Sequence, residues 1–369
     1  AMLGLEERVL VVAAFLVLAG LLFVSTASAP ISARLYGDPW AMLRRQAVAV
    51  GLGLLALLLF WRVDYHHWAE VDDILLVGAW LLTALTLVPP LSAGARWLGR
   101  GPLVFQPSEL GKIALLLYLS GSLLRREGLL HLPKHGLLPH LFVLGLFAVI
   151  LLLQPDFGML VVYACLTVFL LWAGGVPARH LLLTGLASLP LGAVLLLSAR
   201  YRLERFLAFL NPEAYRHTLA YQLYQAVIAI GSGGILGRGL GASRAKLFYL
   251  PAAHNDFVFA VVAEEIGFLG VSLLMALYAA LVVFGFQTAR RAPDKLGALY
   301  AMGASFLLGL QTVLNLGVVV GVLPVTGLTL PFLSYGGTSV VVSLGLVGLI
   351  LGVARAARVS RVVWVMPEV

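Results

Sequence analysis

The sequence predicts an all-α polytopic membrane protein with about ten transmembrane helices, both termini inside, and one long extracellular loop between helices 7 and 8. The chain of 369 residues is 61% hydrophobic and only 11% charged, whereas soluble domains carry about 25% charged residues. Several apolar runs reach the roughly 20 residues that a helix needs to cross a bilayer. The composition excludes an ordinary soluble enzyme, and we expect residues 1–369 to form a single transmembrane domain.

Hydropathy along the chain divides it into ten apolar segments separated by short polar connections. These segments lie near residues 9–28, 42–61, 71–91, 108–124, 137–154, 158–175, 180–199, 257–286, 297–318 and 338–354. The one long connection, residues 200–256, is the predicted outer loop. Within it, apolar residues at helical spacing over 215–230 predict a helix that lies along the membrane surface or dips into it.

The distribution of charge indicates the orientation. With both ends inside, the short inner segments hold more arginine and lysine than the short outer segments, as the positive-inside rule requires. The net charge of +8 therefore reflects topology signals and anionic substrates, and no nucleic-acid-binding module is present. Cys165 is the only cysteine and lies in an apolar run, which excludes a disulfide framework and a thiolate metal site.

Asp256 is the polar residue best suited to chemistry, because it lies where the long outer loop meets the eighth apolar segment. A carboxylate at a membrane is costly to keep and tends to mark function. One interpretation makes it the N-cap of helix 8, since Asp suits the positive end of a helix. The other makes it a general base or a metal ligand at the outer face. The two interpretations are compatible.

Glu264 and Glu265 lie deeper in the same segment, roughly 12 Å further along a helix that rises 1.5 Å per residue. Buried acids need partners or protons. Because neither residue is near the outer surface, we expect structural contacts for both, to backbone groups or to basic side chains elsewhere in the bundle.

Glu109 and Lys112 stand three residues apart in the first turns of helix 4, after the helix-start residues Pro107 and Ser108. This spacing puts both charges on one face, where they can pair. A charged pair within the membrane is a functional candidate, and the ammonium of Lys112 would suit a phosphate oxygen. The alternative is a pair that only fixes helix packing.

The outer loop is rich in basic residues, which suit either phosphate recognition or contact with anionic lipid headgroups. They are Arg200, Arg202, Arg205, Arg216, Arg238, Arg244 and Lys246. The glycine-rich stretch Gly231–Gly241 lacks the spacing and the lysine of a nucleotide-binding loop. We expect these glycines to permit tight turns and close approach of the backbone to helices.

Taken together, the motifs resemble the SEDS family (shape, elongation, division and sporulation), and its RodA branch more closely than its FtsW branch. The resemblance extends through most of the chain from helix 2 onward. Its motifs are Gly94–Trp97, Phe105–Lys112, Gln154–Gly158, Ala229–Gly234, His254–Ala260, Ala263–Glu265, Leu323–Gly327 and Pro331–Gly337. Each motif alone is weak, but their order and their places on the expected loops make the set specific.

The resemblance implies a peptidoglycan glycosyltransferase that polymerises lipid II at the outer face of the bacterial cytoplasmic membrane during cell-wall elongation. It also implies a class B penicillin-binding protein as the crosslinking partner. By position, Asp256 matches the essential outer-loop Asp of the family. Glu109 and Lys112 match its helix 4 pair, and Asp156 matches the Asp between helices 5 and 6. Basic residues that line the family's cavity are matched by Arg45, Arg96 and Arg205.

In the mechanism that these matches imply, the 4-hydroxyl of the acceptor's GlcNAc attacks C1 of the donor's MurNAc, and undecaprenyl pyrophosphate leaves. Asp256 takes the hydroxyl proton, Lys112 and nearby arginines stabilise the pyrophosphate, and Glu109 orients Lys112. Metal dependence stays open. Asp256, Asp156 and Glu109 could assemble a Mg²⁺ or Mn²⁺ site that binds pyrophosphate, although no ligand spacing demands one.

Two other functions fit the same polar residues. A lipid II flippase would also carry charged groups within the membrane and Gly/Pro-rich helix ends, but alternating access favours groups near the bilayer midplane. Only Glu264 and Glu265 suit that position. The third function is a non-catalytic scaffold that activates a penicillin-binding protein through its loops.

Overall fold

A computed structural model of the chain describes residues 4–100, 103–198, 200–215, 217–218, 220–251 and 253–365. These residues form a helical bundle with one small hairpin. The helices are α1 (Leu5–Tyr36), α2 (Ala41–Arg62), α3 (Tyr65–Glu70), α4 (Asp72–Leu85), α5 (Pro107–Arg125), α6 (Pro133–Gly136), α7 (Leu138–Leu153), α8 (Phe157–Gly174), α9 (Ala178–Leu197), α10 (Arg200–Leu210), α11 (Tyr221–Gly233), α12 (Val258–Arg290), α13 (Lys295–Val319) and α14 (Gly337–Val365), and the strands are β1 (Leu98–Arg100) and β2 (Leu103–Phe105).

The predicted spans coincide with helices α1, α2, α4, α5, α7, α8, α9, α12, α13 and α14. In the described part of the chain, eight helical stretches are long and apolar enough to cross a membrane. The two spans that fall short are α4, which has only 14 residues, and α5, which carries Glu109, Lys112 and Arg125. The helical membrane fold is confirmed, while the number of spans, their orientation and the single-domain assignment stay predictions.

Helix α14, most of which is buried, packs closely against α2 because it presents glycines to that helix. A Cβ on Gly348 would lie 2.4 Å from the carbonyl oxygen of Leu57, and one on Gly352 would lie 2.7 Å from that of Phe60. This i, i+4 spacing of small residues is a common device for packing helices in membranes. At the edge of the bundle, by contrast, none of the described side chains of α9 is buried.

Two of the connections that the sequence predicts to lie outside are more structured than expected. The connection over residues 91–106 contains β1 and β2, which pair antiparallel with Leu98 opposite Phe105, where only a loop is expected. The long outer segment contains α10, α11 and a π-helical turn at Ala245–Tyr249. The helix expected over 215–230 is α11, which begins later, at Tyr221.

Helix α12 is interrupted at Gly267, where the backbone takes φ 65° and ψ −171°. The interruption frees backbone groups that a continuous helix would pair. The glycine-rich segment supplies their partners: amides of residues 238–239 donate to carbonyls of residues 264–265 at 3.0 Å each, and amides of residues 268–269 donate to carbonyls of residues 234–235 at 2.9 and 3.1 Å. Satisfied backbone groups are a requirement for broken helices in membranes.

The two acids beside this interruption hold the outer segment in place. The Glu264 carboxylate accepts hydrogen bonds from Ser243 Oγ at 2.6 Å and from the amides of residues 244–245 at 3.1 Å each. Glu265 pairs with Lys246 at 2.8 Å. The structural roles expected for both acids are confirmed, and so is the close backbone approach expected of the glycines.

Replacing Gly267 with Ala should destabilise the protein, because its backbone conformation is nearly restricted to glycine and costs other residues about 1–3 kcal/mol. A Cβ at this position would also lie 2.2 Å from the amide nitrogen of Gly237. We expect a lower thermal unfolding midpoint for purified Gly267→Ala, measured by circular dichroism in detergent. The matched control is Gly145→Ala in α7, where a Cβ meets nothing within 4 Å. Equal midpoints for the two variants would contradict this interpretation.

Candidate functional site

Asp256 lies two residues before the first residue of α12 and is partly exposed. The N-cap position belongs to Phe257, and no side chain caps this helix end. The expectation that Asp256 caps helix 8 is therefore wrong. The helix begins one residue later than a cap at Asp256 would require, and its carboxylate is left available for other contacts.

The backbone around Asp256 is held by three donors from other parts of the chain. The carbonyl oxygens of residues 254–256 accept hydrogen bonds, in order, from the amide of Tyr335 at 2.9 Å, from Ser334 Oγ at 2.8 Å and from Asn315 Nδ2 at 2.8 Å. Asn315 also donates to the carbonyl of Leu328 at 2.7 Å. The position of Asp256 is thus fixed through its main chain rather than through a salt bridge to its carboxylate.

The carboxylate of Asp256 faces Gly327 and Arg96. A Cβ on Gly327 would lie 3.6 Å from Oδ2 of Asp256 and 3.5 Å from Nη1 of Arg96, and the φ of +73° at this glycine also disfavours a side chain. Burial raises the pKa of Asp256, while the positive charges of Arg96 and Arg205 oppose that rise. In the described residues, no basic side chain forms a salt bridge with this carboxylate, so it is free to accept a proton.

A cavity of about 230 Å³, named the outer cavity, lies between α8, α9, α10 and the segment Leu323–Thr326, and Asp256 is not among the residues that line it. Its wall is mainly apolar, and its charged residues are Arg96 and Arg205. A second cavity of about 220 Å³ shares Arg205 and part of the same segment. Arg205 therefore lies between the two cavities, and Arg96 connects the outer cavity with Asp256.

Asp156 positions Arg96. It is buried at the N-cap of α8, where its Oδ1 accepts from the amide of Met159 at 3.3 Å and lies 3.5 Å from Nη1 of Arg96. Its other oxygen accepts from Gln106 Nε2 at 3.1 Å. Burial raises the pKa of Asp156, and the charge of Arg96 opposes this shift. The guanidinium also donates to the carbonyl of Pro155.

The predicted pair of Glu109 and Lys112 is present and buried. The Nζ of Lys112 lies 2.6 Å from Oε2 of Glu109 and donates to Oε1 of Gln311 at 2.6 Å. Lys112 is only 1% exposed and lines neither cavity. This geometry supports the packing role, between α5 and α13, over direct contact with a pyrophosphate.

Arg45 also lines neither of the two cavities. Its guanidinium lies 4.5 Å from the ring centroid of Tyr36 and donates to the hydroxyl of that residue at 2.9 Å. Arg96 and Arg205 line the outer cavity, and the role implied for Arg45 stays a prediction. Among the other basic residues of the outer segment, Arg216 and the side chain of Arg202 lie outside the described residues.

The three acids considered for a divalent cation do not come together. Among the residues that the structure describes, no group of three or more His, Cys, Asp or Glu side chains could hold a metal ion. Glu109 is engaged by Lys112 and Asp156 by Arg96. The described residues therefore provide no three-acid donor set for Mg²⁺ or Mn²⁺, and the metal dependence stays open.

The sequence patterns did not identify Asn315 and Ser334, which hold the main chain around Asp256, or Gln311, which binds Lys112. Gln311 and Asn315 are polar, stand four residues apart in an apolar segment and therefore share one face of α13. That spacing was the available signal. Ser334 lies in a motif of the SEDS resemblance, but nothing in its sequence context shows that its hydroxyl binds a backbone carbonyl.

The chain is similar to known proteins in both sequence and structure. The model of the FtsW, RodA and SpoVE family, described as a cell cycle protein, matches residues 7–359. The chain belongs to this family. A relative from Geobacter sp. (strain M18), described as a probable peptidoglycan glycosyltransferase FtsW, is 36% identical over 359 residues, which cover 96% of this chain and 98% of the relative.

Two solved structures of the family are also similar. One chain comes from a study described as "Structural coordination of polymerization and crosslinking by a peptidoglycan synthase complex" and has a TM-score of 0.76 and 36% identity, with 95% and 97% of the two chains covered. The rod shape determining protein RodA of Thermus thermophilus has a TM-score of 0.65 and 31% identity, with 94% and 95% covered. These similarities establish the SEDS family, while the RodA branch within it stays a prediction.

Replacing Glu109 with Gln should leave the ammonium of Lys112 buried without a counterion, a change that typically costs about 3–5 kcal/mol. We expect a lower unfolding midpoint for Glu109→Gln in a thermal melt. The double variant Glu109→Gln/Lys112→Met removes both charges and should recover most of the loss. An unchanged midpoint in the single variant would show that the pair does not hold α5.

Proposed function

We propose that this chain is a peptidoglycan glycosyltransferase that polymerises lipid II into β-1,4-linked glycan strands. The observation that carries the proposal is a partly exposed carboxylate, Asp256, which interacts with the charges of two arginines, Arg96 and Arg205, that line a mainly apolar cavity. A base close to cationic groups suits a reaction that removes a hydroxyl proton and releases an anionic leaving group. The apolar wall suits a polyprenyl chain.

The chemistry is one inverting displacement. A bond forms between the 4-hydroxyl oxygen of the acceptor's GlcNAc and C1 of the donor's MurNAc, and the bond from C1 to the pyrophosphate oxygen breaks. The hydroxyl proton moves to the carboxylate of Asp256. Undecaprenyl pyrophosphate carries the electron pair away, and the α-linked donor becomes a β-glycoside. General base catalysis of this kind typically contributes about 10²–10⁴-fold to the rate.

Arg96 and Arg205 stabilise the negative charge that grows on the pyrophosphate, because both guanidinium groups line the outer cavity. Asp156 and the carbonyl of Pro155 hold Arg96 in position. The resemblance also implies that Lys112 is a pyrophosphate ligand. Its ammonium is buried, however, and is already paired with Glu109 and hydrogen-bonded to Gln311. Its contribution in this proposal is to hold α5 against α13.

The proposed setting is the bacterial cytoplasmic membrane, with Asp256 on the outer side and a class B penicillin-binding protein as partner. The positive-inside distribution of basic residues supports this orientation. The partner is supported by the similar chain from a peptidoglycan synthase complex. The polyprenyl chains of lipid II and of the product would remain within the lipid bilayer.

The direct test is polymerisation of lipid II by the purified chain, without a partner. Wild type should form glycan strands, and Asp256→Asn, which keeps the shape of the side chain but not its basicity, should lose at least about 10²-fold in rate. Asp38→Asn is a matched control, because Asp38 is another aspartate of the predicted outer face and pairs with Arg44. Polymer from Asp256→Asn at the wild-type rate would contradict the proposal, and transport of lipid II without polymer would favour a flippase.

The dependence of the rate on pH should follow the titration of Asp256. The base works when deprotonated, and burial raises its pKa, so activity should fall with decreasing pH at values above the ordinary range of Asp. Arg205 opposes that rise, so Arg205→Gln should raise the pKa further and move the acid limb to higher pH. The control is Arg200→Gln on the same helix, where Arg200 pairs with Glu204. If activity falls at the same acidic pH in wild type and in Arg205→Gln, this assignment is contradicted.

A further inference from the structure

A third cavity lies at the opposite end of the bundle from Asp256. Helix α14 begins beside the site at Gly337, and Arg355 lies 18 residues further along it, roughly 27 Å away at 1.5 Å per residue. This inner cavity has a volume of about 400 Å³ and lies between the start of α1 and the ends of α2 and α14. It is defined by Glu6, Trp61, Arg62, Arg355, Arg358 and Val359.

The inner cavity carries an excess of positive charge. Among the described residues that line it, Arg62, Arg355 and Arg358 face a single acid, Glu6. That acid is already engaged, because its carboxylate accepts from Trp61 Nε1 at 2.8 Å and lies 3.7 Å from Arg358. Glu6 therefore does not neutralise the three guanidinium groups, and the cavity favours an anion. Guanidinium groups are well suited to bind phosphate oxygens.

An apolar strip leads directly from the inner cavity along the outside of α2. Leu55, Leu58 and Leu59 share one face of this helix with Arg62, at positions i, i+3, i+4 and i+7. Their side chains are 63%, 42% and 49% exposed, so they face the lipid. Trp61, with its indole nitrogen bonded at the cavity, lies between the charged and apolar parts, as tryptophans do at membrane interfaces.

We propose that the inner cavity binds an anionic phospholipid, with its phosphate among Arg62, Arg355 and Arg358 and an acyl chain along Leu55, Leu58 and Leu59. The apolar strip distinguishes a lipid from a free phosphate, which would need only the arginines. The bound lipid would connect the ends of α1, α2 and α14, and α14 reaches from this cavity to the catalytic site. With both termini inside, it would come from the cytoplasmic leaflet.

Binding of phosphatidylglycerol to the purified full chain in detergent tests this proposal, with phosphatidylcholine as the neutral lipid and native mass spectrometry as the measurement. Wild type should retain phosphatidylglycerol in preference to phosphatidylcholine. Arg355→Gln/Arg358→Gln should bind phosphatidylglycerol about 30-fold more weakly, since two basic residues near an anionic surface together contribute about 2 kcal/mol. Arg355→Lys/Arg358→Lys keeps the charge and should retain most of the binding.

The matched control is Arg290→Gln/Arg291→Gln, which removes two charges at the end of α12 from residues that do not line the inner cavity. It should bind phosphatidylglycerol as wild type does. Equal loss of phosphatidylglycerol binding in the two glutamine variants would show a general charge effect and overturn the proposal. Equal retention of phosphatidylglycerol and phosphatidylcholine by wild type would also overturn it. Displacement of phosphatidylglycerol by inorganic phosphate would overturn the lipid assignment in favour of a free anion site.

Discussion

Three successive backbone carbonyls, those of residues 254–256, determine how this protein presents its central carboxylate. Each accepts a hydrogen bond from a different residue: Tyr335, Ser334 or Asn315. A general base must be held in place while its own oxygens remain available to the substrate. Hydrogen bonds to the main chain meet both requirements, whereas a salt bridge to the carboxylate would compete with the proton that it has to accept.

Helix α12, which begins just after Asp256 and is interrupted at Gly267, also helps to hold this residue in place. Its first part, from Val258 to the interruption at Gly267, is short and buried. It is held by backbone hydrogen bonds from the glycine-rich segment, and Glu264 and Glu265 attach the outer segment to it. Non-helical backbone is tolerated at membrane depth only where protein or water satisfies it. The glycine-rich segment therefore supplies the backbone hydrogen bonds that α12 lacks at its interruption.

Sequence patterns predicted the elements governed by local rules, and missed those that depend on distant contacts. Apolar runs predicted the ten long helices that match the predicted spans, and the i, i+3 spacing predicted the pair of Glu109 and Lys112. The patterns did not show that Lys112 would be closed off by Gln311, because that contact joins residues 199 positions apart. Nor did they predict the interruption at Gly267, since one glycine in an apolar run is also compatible with a continuous helix.

The role of the main chain around Asp256 is tested most directly by Asn315→Ala, assayed for polymerisation of lipid II. We expect its kcat to fall about tenfold or more, because small displacements of a catalytic group are costly, while KM changes little since Asn315 lines neither cavity. The matched control is Thr312→Val on the same helix, whose hydroxyl donates only to Leu308 within α13 among the contacts described. Wild-type kcat in Asn315→Ala, with Thr312→Val also unchanged, would contradict the account.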